Sequence, residues 1–366
     1  MKNYITLFTI LCCSTAIIAQ QNTKWYEPQF TEGVCRTDTT NIYHRLPVAM
    51  KDQVREAVWN LSENTAGEFI HFRTSARNIK VKYTLPGKNF SMPHMPATGM
   101  SGLDLFALDK NGKWNWAPGR YSFGDTCTYT FNNLFLGDNT DGIADFFLYL
   151  PLYNSVKWLS IGVDEKADFS FAEKQQEKPI VAYGTSILQG GVASRPGLAW
   201  TNTLARNIKT TVINLGFSGN GRFEEPLFDL MATVDARLYI LDCMPNLTGN
   251  VTPAEIMRRV QYGVQKLRER NKEVPLLLVE HAAGYAPYYM DTARLNVFSK
   301  SSDVIAAIYA KLKADGVSNI YLLTQKEIGF DINSTTDGVH PNDIGMMKYA
   351  IAFEKKIKEI FKEVDQ

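Results

Sequence analysis

The chain has 366 residues, 45% of them hydrophobic and 21% charged, with 39 basic against 38 acidic side chains and a net charge of +1. That composition describes a folded globular protein and excludes disordered, collagen-like and coiled-coil chains. So even a balance supplies no electrostatic footprint for nucleic acid or anionic lipid, and the length suggests two domains at ~100–200 residues each.

The first segment differs from the rest. Lys2 precedes an apolar run from Tyr4 to Ala19 that closes on the small residues Ala16 and Ala19, the pattern of a secretory signal peptide over residues 1–19, with cleavage between Ala19 and Gln20. The run is short of the ~20 residues that span a bilayer, and no later segment is apolar enough to do so. A lipoprotein site at Cys12 or Cys13 is disfavoured because Ile10 and Leu11 are bulky where small residues are expected. The expectation is an exported protein, periplasmic or extracellular. Cys35, Cys127 and Cys243 then remain, an odd number without zinc spacing. Cys35 and Cys127 could bridge in an oxidising compartment, and Cys243, in an apolar run, reads as a buried thiol.

Residues 20–171 read as strands and turns. Phe69 and His71, then Ile79, Val81 and Tyr83, show period-two alternation, and 103–108 is followed by Asp109-Lys110-Asn111-Gly112, an Asn-Gly hairpin signal. Further strands are expected at 126–131, 145–150 and 156–163, with no helical period of useful length, so this half is predicted to be a β-sandwich of jelly-roll type. Trp114 and Trp116, two apart, share one strand face, where they serve either as a carbohydrate platform or as core or interface packing. Residues 172–178 are polar, charged and free of large apolar side chains, and read as a linker.

From 179 to 366 strands and helices alternate. Strands are expected at 179–183, 211–215, 237–242, 274–280 and 319–323, and helices at 199–209, 253–271 (opened by Pro253), 304–315 and 342–362. Such alternation predicts an α/β domain with a parallel sheet and helices on both faces. In such sheets the functional loops lie beyond the carboxyl ends of the strands.

After the first of these strands comes Gly184-Thr185-Ser186-Ile187-Leu188-Gln189-Gly190-Gly191, where Gly184 permits a sharp turn and Ser186 starts a helix, either as a nucleophile beside free N–H groups or as a plain N-cap. The pattern is neither Gly-x-Ser-x-Gly nor a phosphate loop. After the second comes Asn214-Leu215-Gly216-Phe217-Ser218-Gly219-Asn220-Gly221, three glycines that let backbone approach closely or simply turn. The third is followed by Asn246 in Asp242-Cys243-Met244-Pro245-Asn246, an amide able to donate to an oxyanion or to close an Asx-turn. Near the C-terminus Asp337-Gly338-Val339-His340-Pro341 places a carboxylate three residues before a histidine, close enough to fix its tautomer.

Taken in order, Ser, Gly, Asn and Asp-x-x-His make the second half resemble the SGNH (GDSL-like) hydrolase superfamily over about 179–362, in a bacterial subgroup of esterases. The first half, with Gly102-Leu103-Asp104-Leu105-Phe106, resembles the domain that often precedes that subgroup's catalytic domain. The resemblance implies a flavodoxin-like catalytic domain in which Ser186 is the nucleophile, His340 the base and then the acid, and Asp337 the residue that orients His340. It implies an oxyanion hole of the Ser186 N–H, the Gly216 N–H and the Asn246 side chain, and acyl transfer without metal or organic cofactor. Thr185 stands where the family has Asp, and Met244-Pro245 replaces the residues usual before the oxyanion Asn.

Tyr285, Tyr288 and Tyr289, on a loop after the fourth strand, are candidates for stacking on sugar or for packing between domains. His281 is a candidate substrate contact or a structural histidine, and Arg195 and Arg222 read as exposed ion-pairing residues. Export, a jelly-roll-like partner domain and a small-ester hydrolase together point to removal of acetyl groups from an acylated carbohydrate. A non-catalytic glycan-binding protein on the same fold, or a lipase or thioesterase, is the alternative.

Overall fold

Apolar alternation in the first half produces antiparallel strands throughout. The computed structural model describes residues 22–35, 40–134, 142–247, 249–270, 272–285 and 290–364. Its first ten strands are β1 (Thr23–Tyr26), β2 (Phe69–Thr74), β3 (Ile79–Thr84), β4 (Asp104–Leu108), β5 (Trp114–Ala117), β6 (Arg120–Ser122), β7 (Cys127–Phe131), β8 (Ala144–Tyr149), β9 (Trp158–Asp164) and β10 (Phe169–Phe171). They form two five-stranded sheets, in the orders β1-β9-β3-β7-β6 and β10-β2-β8-β4-β5. The Asn-Gly turn joins β4 to β5 with Leu108 opposite Trp114, and Gly112 takes the left-handed backbone the turn requires.

Along β3 the alternation buries Ile79, Val81 and Tyr83 and exposes Lys80 and Lys82. These pack against Ile70, Phe72, Leu105, Phe146 and Leu148 of the second sheet. That second sheet is covered on its other face as well, by contacts to the second half through Phe69, Phe106, Phe147 and Tyr149. Burial on both sides explains why Phe146-Phe147-Leu148-Tyr149 is continuously apolar rather than alternating. Cys127 lies in this sandwich core, whereas Cys35 packs against the core of the second half. The disulfide considered for this pair is therefore absent, and Cys35, Cys127 and Cys243 are all free thiols.

In the second half β11 (Ile180–Gly184), β12 (Val212–Gly216), β13 (Leu238–Asp242), β14 (Leu276–Val279) and β15 (Ile320–Leu323) are parallel, in the order β12-β11-β13-β14-β15. This is the flavodoxin-like order, whose switch point lies beside the first strand. Helices Glu225–Ala232, Pro253–Arg270 and Thr292–Ala314 cover one face through Phe228, Val260, Val264, Ile305 and Ile308. Trp200–Ile208 and Asp343–Val364 cover the other, where Trp200 stacks on Phe353 at 4.3 Å and 7°.

Two elements were not announced by apolar spacing. Helix Thr292–Ala314 begins well before 304, because its first half buries Ser301 and Ser302 rather than large apolar residues. The Ser302 hydroxyl bonds Gln325 and the His281 carbonyl. The short helix Glu56–Ser62 in the first half inserts Val58 into the core under the parallel sheet, together with Leu46 and Met50. Ala66, Met95, Met100 and Leu152 enter the core on the opposite face. The two halves therefore share cores, and segments of the first reach the carboxyl edge of the parallel sheet. Among the described residues no helix is long and apolar enough to cross a membrane.

Candidate active site

The loops that follow β11, β12 and β13 converge with the turn at 335–341. Ser186 opens a four-residue helix, Ser186–Gln189, capped at its start by Thr185, whose hydroxyl accepts from the Ile187 N–H, and closed by Gly190 in the left-handed region. Thr185 thus supplies the turn's cap in place of the acid usual there. As the first helical residue, Ser186 keeps a backbone N–H without an intrahelical partner.

Ser186 Oγ lies 2.8 Å from His340 Nε2, and His340 Nδ1 lies 2.7 Å from Asp337 Oδ2. A carboxylate can only accept, so the ring proton is assigned to Nδ1, leaving Nε2 to accept from the serine hydroxyl. The other oxygen of Asp337 accepts from the Val339 and His340 N–H groups at 3.0 and 2.8 Å, an Asx turn that needs only the Asp-Gly-Val-His spacing. Burial pushes the Asp337 carboxyl up, but these donations outweigh it and hold the group below the usual aspartate range. The imidazole thus faces a fixed negative charge.

The glycine loop after β12 divides into distinct jobs. Phe217 N–H donates to the Gly184 carbonyl, Ser218 N–H to Gln189 Oε1, Asn220 N–H to the Phe217 carbonyl and Gly221 N–H to Asn246 Oδ1. Gly216 N–H donates to Asn214 Oδ1 at 2.9 Å. This corrects the expectation that Gly216 supplies an oxyanion donor, since a side chain from its own strand already holds that N–H. What Gly216 provides is clearance, as a Cβ there would stand 2.2 Å from the Gln189 backbone nitrogen. The free donor is Gly219, whose N–H has no partner among the described residues and whose backbone sits at φ +68. Across the site, Gly221 fixes the Asn246 amide by bonding its oxygen at 3.1 Å, so the amide NH2 is turned away from that bond and has no protein partner among the described residues.

Several supporting residues escaped the sequence. Asn214 Nδ2 donates to the Leu188 carbonyl and to Thr201, and Gln189 Nε2 to Asn64 and the Leu152 carbonyl. Arg45 is fully buried and donates to the carbonyls of Asn64, Leu61, Asn214 and Gly216, at 2.7 to 3.1 Å, with its guanidinium over the Phe217 ring. Burial lowers its pKa to about 10. Tyr153 Oη donates to the Ser186 carbonyl at 3.1 Å. Arg45, Asn64 and Tyr153 come from the sandwich half, Arg45 and Asn64 over a hundred residues and Tyr153 33 residues before the loops they hold, and no local spacing marks them.

Other expectations change. His281 is corrected as a substrate contact: it is 1% exposed, stacks on Phe298 at 4.4 Å and accepts from the Ala283 N–H, while burial lowers its pKa to about 4. Tyr285 ends the 3-10 turn Ala282–Tyr285, and Tyr288 and Tyr289 lie outside the described residues. Arg195 is no free surface residue, since it pairs with the buried Asp104 of β4 at 2.5 Å and stacks on Trp116 at 4.2 Å. Arg222 donates to the Gly219 carbonyl. Trp114 donates to the Arg206 carbonyl of the second half, and Trp116, half-exposed beneath the Arg195 guanidinium, donates to Asp104 of its own sheet. Asp242, which ends β13 next to the site, is wholly buried with neither carboxyl oxygen bonded among the described residues, and burial pushes its pKa up to about 7.

Residues 177–358 match the model of the GDSL-like lipase/acylhydrolase family, and residues 22–169 that of the N-terminus of SGNH-hydrolase-type esterases. The structure of a protein described as a GDSL-like lipase from Bacteroides ovatus is similar at 30% identity and TM-score 0.82, over 93% of this chain and 98% of that one. The chain belongs to the GDSL-like (SGNH) hydrolase family. The fold of this SGNH hydrolase is also that of a salicylyl-acyltransferase from a tetracycline biosynthetic pathway, at 17% identity and TM-score 0.71 over 92% of this chain and 97% of that one. A family two carbohydrate esterase from Cellvibrio japonicus shares it at 10% identity and TM-score 0.55, over 82% and 90%. No curated protein matches the chain.

Proposed function

We propose that this SGNH hydrolase is an exported serine esterase that removes small acyl groups, acetyl foremost, from carbohydrate. The observation that carries the reading is the unbroken chain Ser186–His340–Asp337, with contacts of 2.8 and 2.7 Å, beside donors left free at Ser186, Gly219 and Asn246. In the first step Ser186 Oγ attacks the ester carbonyl carbon and its proton passes to His340 Nε2. The new oxyanion accepts from the Ser186 and Gly219 N–H groups and the Asn246 amide, and Asp337 stabilises the imidazolium. His340 then returns the proton to the alcohol oxygen as the carbon–oxygen bond breaks. Water, deprotonated by the same imidazole, hydrolyses the acyl-enzyme. The leader-like residues 1–19 and the tyrosines at 285–289 support export and a sugar alcohol.

An organophosphorus serine probe tests the chemistry directly. Wild-type protein is expected to label and Ser186→Ala to stay unlabelled, with turnover falling roughly 10⁴–10⁶-fold in Ser186→Ala or His340→Ala. Labelling that survives Ser186→Ala overturns the nucleophile. For the substrate, acetate release from acetylated xylan, xyloglucan or pectin is compared with p-nitrophenyl esters of increasing chain length. Preference for long acyl chains, with no acetate from any glycan, overturns the carbohydrate reading.

A further inference from the structure

His94 belongs to the sandwich half, yet its ring lies 6.1 Å from the ring of His340, tilted by 43°. It is exposed and has no hydrogen-bond or ion-pair partner among the described residues, so both ring nitrogens are available. Its position is fixed by the chain on either side. Met92 and Met95 exchange both backbone hydrogen bonds, at 2.9 and 3.0 Å, which puts Pro93 and His94 at the tip of a tight two-residue turn. Met95 is 1% exposed within the core beneath the parallel sheet, and Met92 packs against that core. Three residues on, Thr98 donates to the Ser194 carbonyl at 2.7 Å, and Gly99 passes so near Ala193 that a Cβ there would stand 2.0 Å from its carbonyl oxygen. The turn is therefore seated on the catalytic half at its base and presents one unpartnered side chain at its tip.

We propose that His94 is a specificity-determining residue that binds the alcohol half of the ester; this inference rests on the esterase reading given above. The chemistry assigns the side. The carbonyl oxygen must lie against the donors of Ser186, Gly219 and Asn246. The alcohol oxygen must reach His340 Nε2, because that nitrogen returns the proton when the carbon–oxygen bond breaks. Whatever is attached to the alcohol oxygen consequently passes along His340, where His94 stands. An imidazole can donate to or accept from a hydroxyl and can lie flat on the apolar face of a pyranose ring, so the alcohol it fits is polyhydroxylated.

The experiment holds the acyl group constant and varies the alcohol, using glucose pentaacetate and ethyl acetate. His94→Ala is expected to lower kcat/KM for glucose pentaacetate at least ~10-fold more than for ethyl acetate, with His94→Gln recovering part of the difference through its hydrogen bonds. The loss should fall on acylation and not on deacylation of the acetyl-enzyme, measured from the burst and steady phases with p-nitrophenyl acetate, because the alcohol has departed by then. Equal losses on both acetates, or slowed deacylation, overturn the assignment and place the effect on His340 while the esterase reading stands. Wild-type protein that hydrolyses none of the three esters overturns both.

Discussion

The parallel-sheet half presents Ser186, Gly219, Asn246 and His340 on four loops, while the sandwich half meets the same loops from behind with Arg45, Asn64 and Tyr153. The first set keeps bonding capacity unspent, in the N–H groups of Ser186 and Gly219 and the Asn246 NH2. The second set spends its own on backbone: Arg45 alone holds four carbonyls, two of them in β12 at the base of the glycine loop. The contrast teaches that the idle donors stay poised because a remote segment ties down the chain around them, which is the preorganisation that makes such donors effective.

If that division is right, damage to each half reads out differently. Arg45→Met should have the largest effect on stability, ~3 kcal/mol or more in denaturant unfolding, since it leaves buried carbonyls without a donor. A loss under ~1 kcal/mol would break the comparison. Asn246→Ala should instead leave unfolding nearly unchanged and lower kcat roughly 10²–10³-fold, as the loss of one oxyanion donor does; a comparable fall in stability would show that the two halves do not separate as described.

Asp242 sharpens the comparison through pH. Its pKa is about 7 in the folded protein against an ordinary 3.8, so between those values the native state keeps a proton that the unfolded chain releases. Stability therefore falls as pH rises through that window, by up to ~1.4 kcal/mol per pH unit from this group, and is flat in this group above it. Asp242→Asn should remove that slope and exceed the wild type in stability at pH 8; an unchanged slope from pH 4 to 7 would contradict the raised value. The smallest effect is expected at the seam. Glu224→Gln weakens its pairing with Arg55 of the first half, a half-exposed contact that solvent partly screens, and should cost about 1 kcal/mol in thermal unfolding. A much larger cost would make this ion pair, rather than the shared cores, the main fastening between the halves.

The strands and the Ser186–His340–Asp337 residues were legible because their signals are local. Period-two alternation marks β3, Asn-Gly marks the β4–β5 turn, and Asp-Gly-Val-His needs only its own backbone to bring carboxylate to imidazole. Helix Thr292–Ala314 was only half legible, because serines buried through hydrogen bonds leave no apolar period. Gly219 is not singled out by the sequence, because spacing reveals that glycines are needed and not which N–H remains unbonded. That depends on Asn214, Gln189 and Asn246, each of which takes up one neighbouring donor.

What the sequence by itself determined is the order of elements, the fold class of each half and the residue types able to perform acyl transfer, since these follow from short-range periodicity and turn chemistry. Only the tertiary structure decided that His281 is buried, that Arg45 braces the end of β12 and that His94 stands beside His340. The last two depend on pairing across more than a hundred residues, which leaves no trace in the spacing of either partner, and the first on how helix Thr292–Ala314 packs Phe298 over the end of β14.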